Sequence, residues 1–128
     1  MRQEAQDWWQ QGLEDLETAK ALAQAERHYA CAFFCQQAAE KVLKALFIES
    51  QRQSPPLTHT LPTLGRKLGA SAPLLTALRR LNLAYTTTRY PDAANGIPAE
   101  LFDRDSSTSY LTDAQKVVDW VRERLESV

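Results

Sequence analysis

The 128-residue sequence predicts an all-α fold: one domain, residues 1–128, built as a small helical bundle. Three observations predict it. First, residues 30–48, ACAFFCQQAAEKVLKALFI, form the longest apolar-rich run and contain no Gly or Pro. On a helical wheel at about 100° per residue, Cys31, Ala32, Cys35, Ala38, Ala39, Val42, Leu43, Ala45 and Leu46 fill a wide apolar arc, and Gln37, Glu40, Lys41 and Lys44 gather opposite. An arc this wide belongs to a helix with several neighbours, so the run reads as the central helix. Second, the other long segments repeat their apolar residues at the same helical spacing. Third, no stretch alternates at strand period, and there is no internal repeat or low-complexity tail.

The elements follow in order. Residues 2–25 make the first helix: Trp9, Leu13, Leu16, Ala19 and Ala23 share a face, while Glu14, Asp15, Glu17 and Lys20 mark the wet side. Glu4 and Asp7 sit in the first turns, where negative charge suits the helix dipole. Trp8 and Trp9 are adjacent and cannot face the same neighbour, so one belongs to the core and the other to an edge or interface. The short link 24–28 makes the first two helices antiparallel. The second helix spans 28–50. Its Gln36 falls beside Leu43 and Phe47, hence hydrogen-bonded inside the fold or placed at an interface. Phe33 and Phe47 either cap the core edge or make a dimer contact.

Pro55 and Pro56 place 51–57 in a loop. Residues 60–68 form a short helix, with Thr60 as N-cap, Pro62 in the first turn and Gly69 at C′; Leu61, Leu64 and Leu68 face inward. Ser71 and Pro73 open the next helix, with Leu74, Leu75, Leu78, Leu81 and Tyr85 inward and Arg79, Arg80 and Asn82 outward. Residues 86–105, TTTRYPDAANGIPAELFDRD, read as a long irregular connection of the kind that often carries function. The last helix starts between 105 and 109, and Tyr110, Ala114, Val117, Val118, Val121 and Leu125 form its inner stripe. Arg122 and Arg124 suit its C-terminal dipole.

The bulk numbers exclude several classes. A chain this long buries roughly 68% of its unfolded surface and needs no disulfide or metal staple. The net charge of −1 gives no global drive toward nucleic acid or anionic membrane. No apolar run approaches the ~20 residues of a membrane span, and the start MRQEAQDWWQQ has no signal-peptide character, so the expected compartment is cytoplasmic. Cys31 and Cys35 lie one helical turn apart, poorly oriented for a disulfide. With only His28 and His59 to add, they do not complete a structural zinc site; they read as core filler. No cofactor is expected.

The run FFCQQAAEKVLKALF, then HTLPTLGRKL, then a helix leading into TRYPD, then a long C-terminal helix, resembles the HEPN domain family over nearly the whole chain. QQAAEK alone is a weak word; its combination with a later TRYPD is more specific. The resemblance implies an up-and-down bundle of four long helices plus one short helix, as a homodimer. It also implies function of two kinds. Many small HEPN proteins pair with a minimal nucleotidyltransferase as a toxin–antitoxin system; others are metal-independent ribonucleases, marked by an Arg followed four to six residues on by a His.

In this sequence Arg89 stands in the place of that Arg, and residues 90–96 contain no His. Metal-free RNA cleavage needs a base for the 2′-hydroxyl and an acid for the leaving oxygen, roles suited to a group titrating near neutrality. Arg89 stays protonated and is able only to position phosphate or stabilise its charge. Asp92, with an ordinary carboxyl pKa of about 3.9, is a poor base. His59 is either a catalytic group reaching in from another part of the bundle or a local loop contact before Thr60. Tyr90 matches loosely the tyrosine that receives AMP in some HEPN–nucleotidyltransferase pairs.

The candidate phosphate-binding residues are therefore Arg89, Tyr90, Asp92, Lys41, Lys44 and His59. Arg89 projects into a groove where Lys41 and Lys44 add charge; otherwise Arg89 and Asp92 tie the turn by an ion pair, and the lysines are a solvated face. The four glycines are scattered, so no glycine-rich phosphate loop exists. The expected function is an accessory nucleotide- or RNA-phosphate-binding domain acting with a nucleotidyltransferase, with no confident catalytic residue. The alternatives are a ribonuclease lacking its usual His and a helical interaction module without a ligand.

Overall fold

A computed structural model describes residues 1–58 and 60–127. They form α1 (Gln3–Gln24), α2 (His28–Gln51), α3 (Leu61–Lys67), α4 (Ala72–Thr87), α5 (Pro91–Ala94), α6 (Pro98–Leu101) and α7 (Arg104–Ser127). No strand occurs among the described residues. The four long helices and the short α3 are those the periodicity predicts.

Contacts along the helices define the topology. The Arg2 N–H donates to Glu49 Oε1 at 3.0 Å, Gly12 lies against Val42, and Lys41 donates to Asp15, so α1 and α2 run antiparallel. The turn between them closes with Glu26 at φ 61° and the Arg27 N–H on Leu22 O at 2.8 Å. His28 Nδ1 meets Ser107 Oγ at 2.6 Å, which sets α7 parallel to α2 from their first turns. Arg80 on α4 pairs with Asp113 on α7, and residues 83 and 110 then share one cavity wall, so α4 opposes α7. The result is an up-down-up-down bundle.

The central helix is α2, which touches α1, α3, α4, α6 and α7. Its Cys31, Cys35, Ala38, Ala39, Val42, Leu43 and Leu46 pack with Leu16 and Ala19 of α1, Leu61 and Leu64 of α3, Leu78 and Leu81 of α4, and Val117, Val118 and Val121 of α7. Each fully buried branched side chain contributes about 1.5–3 kcal/mol. Gly12 lets α1 sit directly on α2: a Cβ there would meet Val42 Cγ1 at 2.7 Å and Ala38 O at 3.2 Å. Gly69 takes φ +80° after α3, the left-handed C′ position expected of it.

The structure corrects several expectations. Asp15 is buried rather than wet, because it accepts from Lys41 and from Gln11 Nε2 at 2.9 Å. Glu40 and Lys44, placed on the polar side of α2, are also buried; α1 covers that side, with Lys44 Nζ 5.4 Å from the Trp8 ring centroid. Asn82 turns inward and accepts the Leu61 N–H at 3.0 Å. It caps the start of α3, where the Thr60 side chain makes no cap. Gln36 is internal and hydrogen-bonded, donating to Glu40 Oε1 at 3.1 Å and accepting from Gln37 at 2.7 Å. Phe47 is buried.

The connection 86–105 is more ordered than its Pro and Gly content predicts. The helix α4 runs to Thr87, and α5 and α6 are single turns, each opened by a proline. Proline suits the first helical position because its missing N–H has no intrahelical partner there, but four residues are too few to show a period. The last helix starts at Arg104, ahead of the expected 105–109 window. Asp103 caps it: its Oδ1 accepts the Ser106 N–H at 2.9 Å and the Ser106 hydroxyl at 3.0 Å.

Candidate functional site

Arg89 leaves the end of α4 at the point where the chain turns. The Arg89 and Tyr90 N–H groups both donate to Thr86 O, at 3.1 and 3.0 Å. Tyr90 is extended at φ −122°, ψ 121°, as the following Pro91 demands. This bend sends the Arg89 side chain back along α4. Its Nε donates to Tyr85 O at 2.7 Å.

Three aromatic rings then hold the guanidinium. Its carbon lies 4.3 Å from the Tyr85 ring centroid, 4.9 Å from Tyr90 and 5.2 Å from Phe33 on α2. Each such contact at an exposed position is worth about 0.5–1 kcal/mol. Arg89 has no carboxylate partner among the described residues; Asp92 is exposed in the first turn of α5 and makes no ion pair with it. The Nε bond uses one of five N–H donors. The terminal nitrogens keep a flat fork able to meet two oxygens of one phosphate.

The lysines do not join it. Lys41 is paired with Asp15, and Lys44 Nζ with Glu40 Oε2 at 2.8 Å, so both charges are matched within the bundle. Phe33, the α2 residue that meets Arg89, precedes Lys41 and Lys44 by eight and eleven residues, roughly 12 and 16 Å along the helix axis. Within this chain the site contracts to Arg89 with Tyr85, Tyr90 and Phe33. His59 lies outside the described residues. Sequence reasoning missed Tyr85 and Phe33 as site residues. The Tyr85–Arg89 spacing of four was a visible signal, since side chains at i and i+4 meet on a helix; the approach of Phe33 left no trace in the sequence.

The cysteines are free and buried in the core. The Cys31 thiol is lowered to about 7 by the hydrogen bond from Cys35, against the burial that resists ionisation; the same bond and burial push Cys35 up. Among the described residues no group of three or more His, Cys, Asp or Glu is placed to hold a metal ion. No described helix is long and apolar enough to cross a membrane.

The fold has counterparts. The model of the HEPN domain matches residues 5–124. The chain belongs to the HEPN domain family. Two solved structures resemble this HEPN domain. TT1696 from Thermus thermophilus is 29% identical with a TM-score of 0.88, over 96% of this chain and 99% of its own. ST0689, described as an archaeal HEPN homologue, is 27% identical with a TM-score of 0.81, over 96% and 98%. No curated protein matches the sequence.

Proposed function

We propose that this HEPN domain is an accessory module that binds the phosphate of a nucleotide or RNA through Arg89. It acts as a homodimer beside a partner minimal nucleotidyltransferase, as one half of a toxin–antitoxin pair. One observation carries the reading: an exposed guanidinium is clamped by three rings and a main-chain carbonyl, yet has no acidic partner among the described residues. The rings hold the guanidinium in place without neutralising its charge. A pre-positioned, uncompensated fork suits an incoming phosphate. Tyr90, half-exposed beside it, offers a face on which a base can stack. Support for the homodimer comes from Ile97 and Leu101, large apolar side chains left exposed on the segment that follows Arg89.

The test is fluorescence anisotropy with a labelled short RNA and with ATP, in EDTA. Saturable binding is expected, weakened at least about tenfold, or 1.4 kcal/mol, in Arg89→Ala, with Arg79→Ala as a surface-charge control that leaves it unchanged. Binding that is equal in Arg89→Ala and the parent protein removes Arg89 from the site. The same samples are expected to leave the RNA intact, because residues 90–96 supply no His to move the proton; cleavage that Arg89→Ala abolishes would favour the ribonuclease reading instead. Co-purification with the product of a neighbouring nucleotidyltransferase gene tests the partner.

A further inference from the structure

A second concave site lies between α4 and α7. Arg80, which contributes to it, reaches Asp113 of α7, whereas Arg89 rests on Phe33 of α2, so the two sites face different neighbours of α4. At its base is a fixed cation. Arg80 donates from Nε and Nη2 to the two Asp113 carboxylate oxygens, both at 2.7 Å. The Asp113 side chain is 4% exposed and that of Arg80 52%, so the carboxylate anchors the guanidinium from inside through Nε and Nη2 and leaves Nη1 out of the pair.

Around Arg80 stand donors without an acceptor among the described residues. Lys116 is exposed and has no ion pair among them. The neighbouring Thr108 and Thr112 hydroxyls donate to Arg104 O and Thr108 O; the Ser109 and Tyr110 hydroxyls make no such bond to a described residue. The Tyr110 phenol is raised above its ordinary value by burial and the nearby Asp113 charge, so it remains a donor at neutral pH. Both Asp113 oxygens are occupied. The cleft therefore holds one net positive charge and four donors in search of acceptors.

Its inner part is apolar. A cavity of about 120 Å³ is walled by Leu83 and Tyr110 beside the ion pair, and it shares Arg80, Ser109 and Asp113 with a broader cleft of about 400 Å³ that reaches Lys116. Leu83 is 62% exposed, a large aliphatic side chain left at the mouth of a groove. The inner part is smaller than the apolar cavity of about 150 Å³ that encloses benzene, so a six-membered ring enters it edge-on and leaves part of the ring at the mouth.

We propose that this α4–α7 cleft is a second ligand site, which takes a small organic anion, a carboxylate or phosphate monoester, built on a ring-sized apolar group. The ring lies between Leu83 and Tyr110. The anionic head meets Arg80 Nη1, the Ser109 hydroxyl and Lys116.

The test is a titration of the ¹⁵N-labelled protein followed by amide chemical shifts, with phenyl phosphate, benzoate, inorganic phosphate and benzyl alcohol as probes. Saturable shifts on α4 and α7 are expected from phenyl phosphate or benzoate, and the tighter of the two identifies the head group. Inorganic phosphate and benzyl alcohol, each carrying half of the recognition, are expected to bind at least about tenfold more weakly, the equivalent of 1.4 kcal/mol. Lys116→Gln and Leu83→Ser, both at exposed positions and so compatible with folding, are each expected to weaken binding several-fold. Arg89→Ala is expected to leave it unchanged, which keeps this site separate from the phosphate site proposed above. Absence of saturation by both ring-bearing anions overturns the proposal. So does binding that is indifferent to both variants, or inorganic phosphate binding as tightly as phenyl phosphate.

Discussion

Arg80 and Asp113 show how unequally two halves of an ion pair depend on each other. Asp113 sits on the inner stripe of α7 with a nearly buried carboxylate, whereas Arg80 reaches it from solvent. Removing the arginine strands a buried charge, and removing the aspartate lets the arginine return to water. A stranded buried charge is the costly outcome. Arg80→Ala is therefore expected to destabilise the fold by about 2–4 kcal/mol, and Asp113→Ala by about half as much, offset by the resolvated guanidinium. Urea unfolding of the two variants checks the order; a larger loss in Asp113→Ala would contradict it. Asp113 is legible as an anomaly, since it falls at helical spacing with Tyr110 and Val117, but its partner is not. Arg79 and Arg80 are indistinguishable in the sequence, and only the rotation of α4 against α7 selects one of them. The same holds for Arg89: TRYPD marks the residue, while the rings that hold it come from α2, α4 and the turn.

The start of α7 is hard to read from sequence because its N-cap lies in a segment rich in Asp and Ser, where several registers look equally good. The one adopted has Asp103 accepting from the Ser106 N–H and hydroxyl while Ser106 Oγ accepts the Asp103 N–H at 3.1 Å, a reciprocal cap. The hydrogen bonds from Ser106 hold the Asp103 carboxyl below its ordinary value of 3.8. A carboxyl lowered by folding contributes stability above its unfolded pKa, and that contribution is lost as pH falls through the folded one. Asp103→Ala should therefore lower the Tm at pH 7, with the gap between variant and parent closing once the pH drops below 3.8. Thermal melts followed by circular dichroism across that range check it, and a gap that persists in acid would assign the loss to something other than the ionised cap. The single turns α5 and α6 escape the sequence for another reason. A helix of four residues has no period, so Pro91 and Pro98 read as breakers when they are in fact the first residues of helical turns.

At the scale of the whole molecule, the bundle matches much of its charge internally. Lys41–Asp15 ties α2 to α1 and Lys44–Glu40 lies within α2, whereas Arg89 and Lys116 of the α4–α7 cleft are among the cations with no ion pair to a described residue, on a chain of net charge −1. Exposed Tyr90, Ile97 and Leu101 cluster on the chain just after α4. Light scattering is expected to give twice the chain mass, and Ile97→Asp with Leu101→Asp to return it to the monomer without loss of helicity; a parent protein that is monomeric at tens of micromolar would remove the homodimer.

The local chemistry of the chain determined its long helices, because a 3.6-residue period and its Pro and Gly punctuation are written within a dozen or so neighbouring residues. The resemblance carried by TRYPD, rather than any period, singled out Arg89, which stands just before Tyr90–Pro91. Which polar groups became buried pairs, and which cations stayed without one, was decided only in three dimensions. Asp15 meets Lys41 across 26 residues and Arg80 meets Asp113 across 33, and such partners depend on how helices rotate and slide against one another. That rotation is set by close-packed side chains such as Val42 over Gly12, whose mutual fit no single segment encodes.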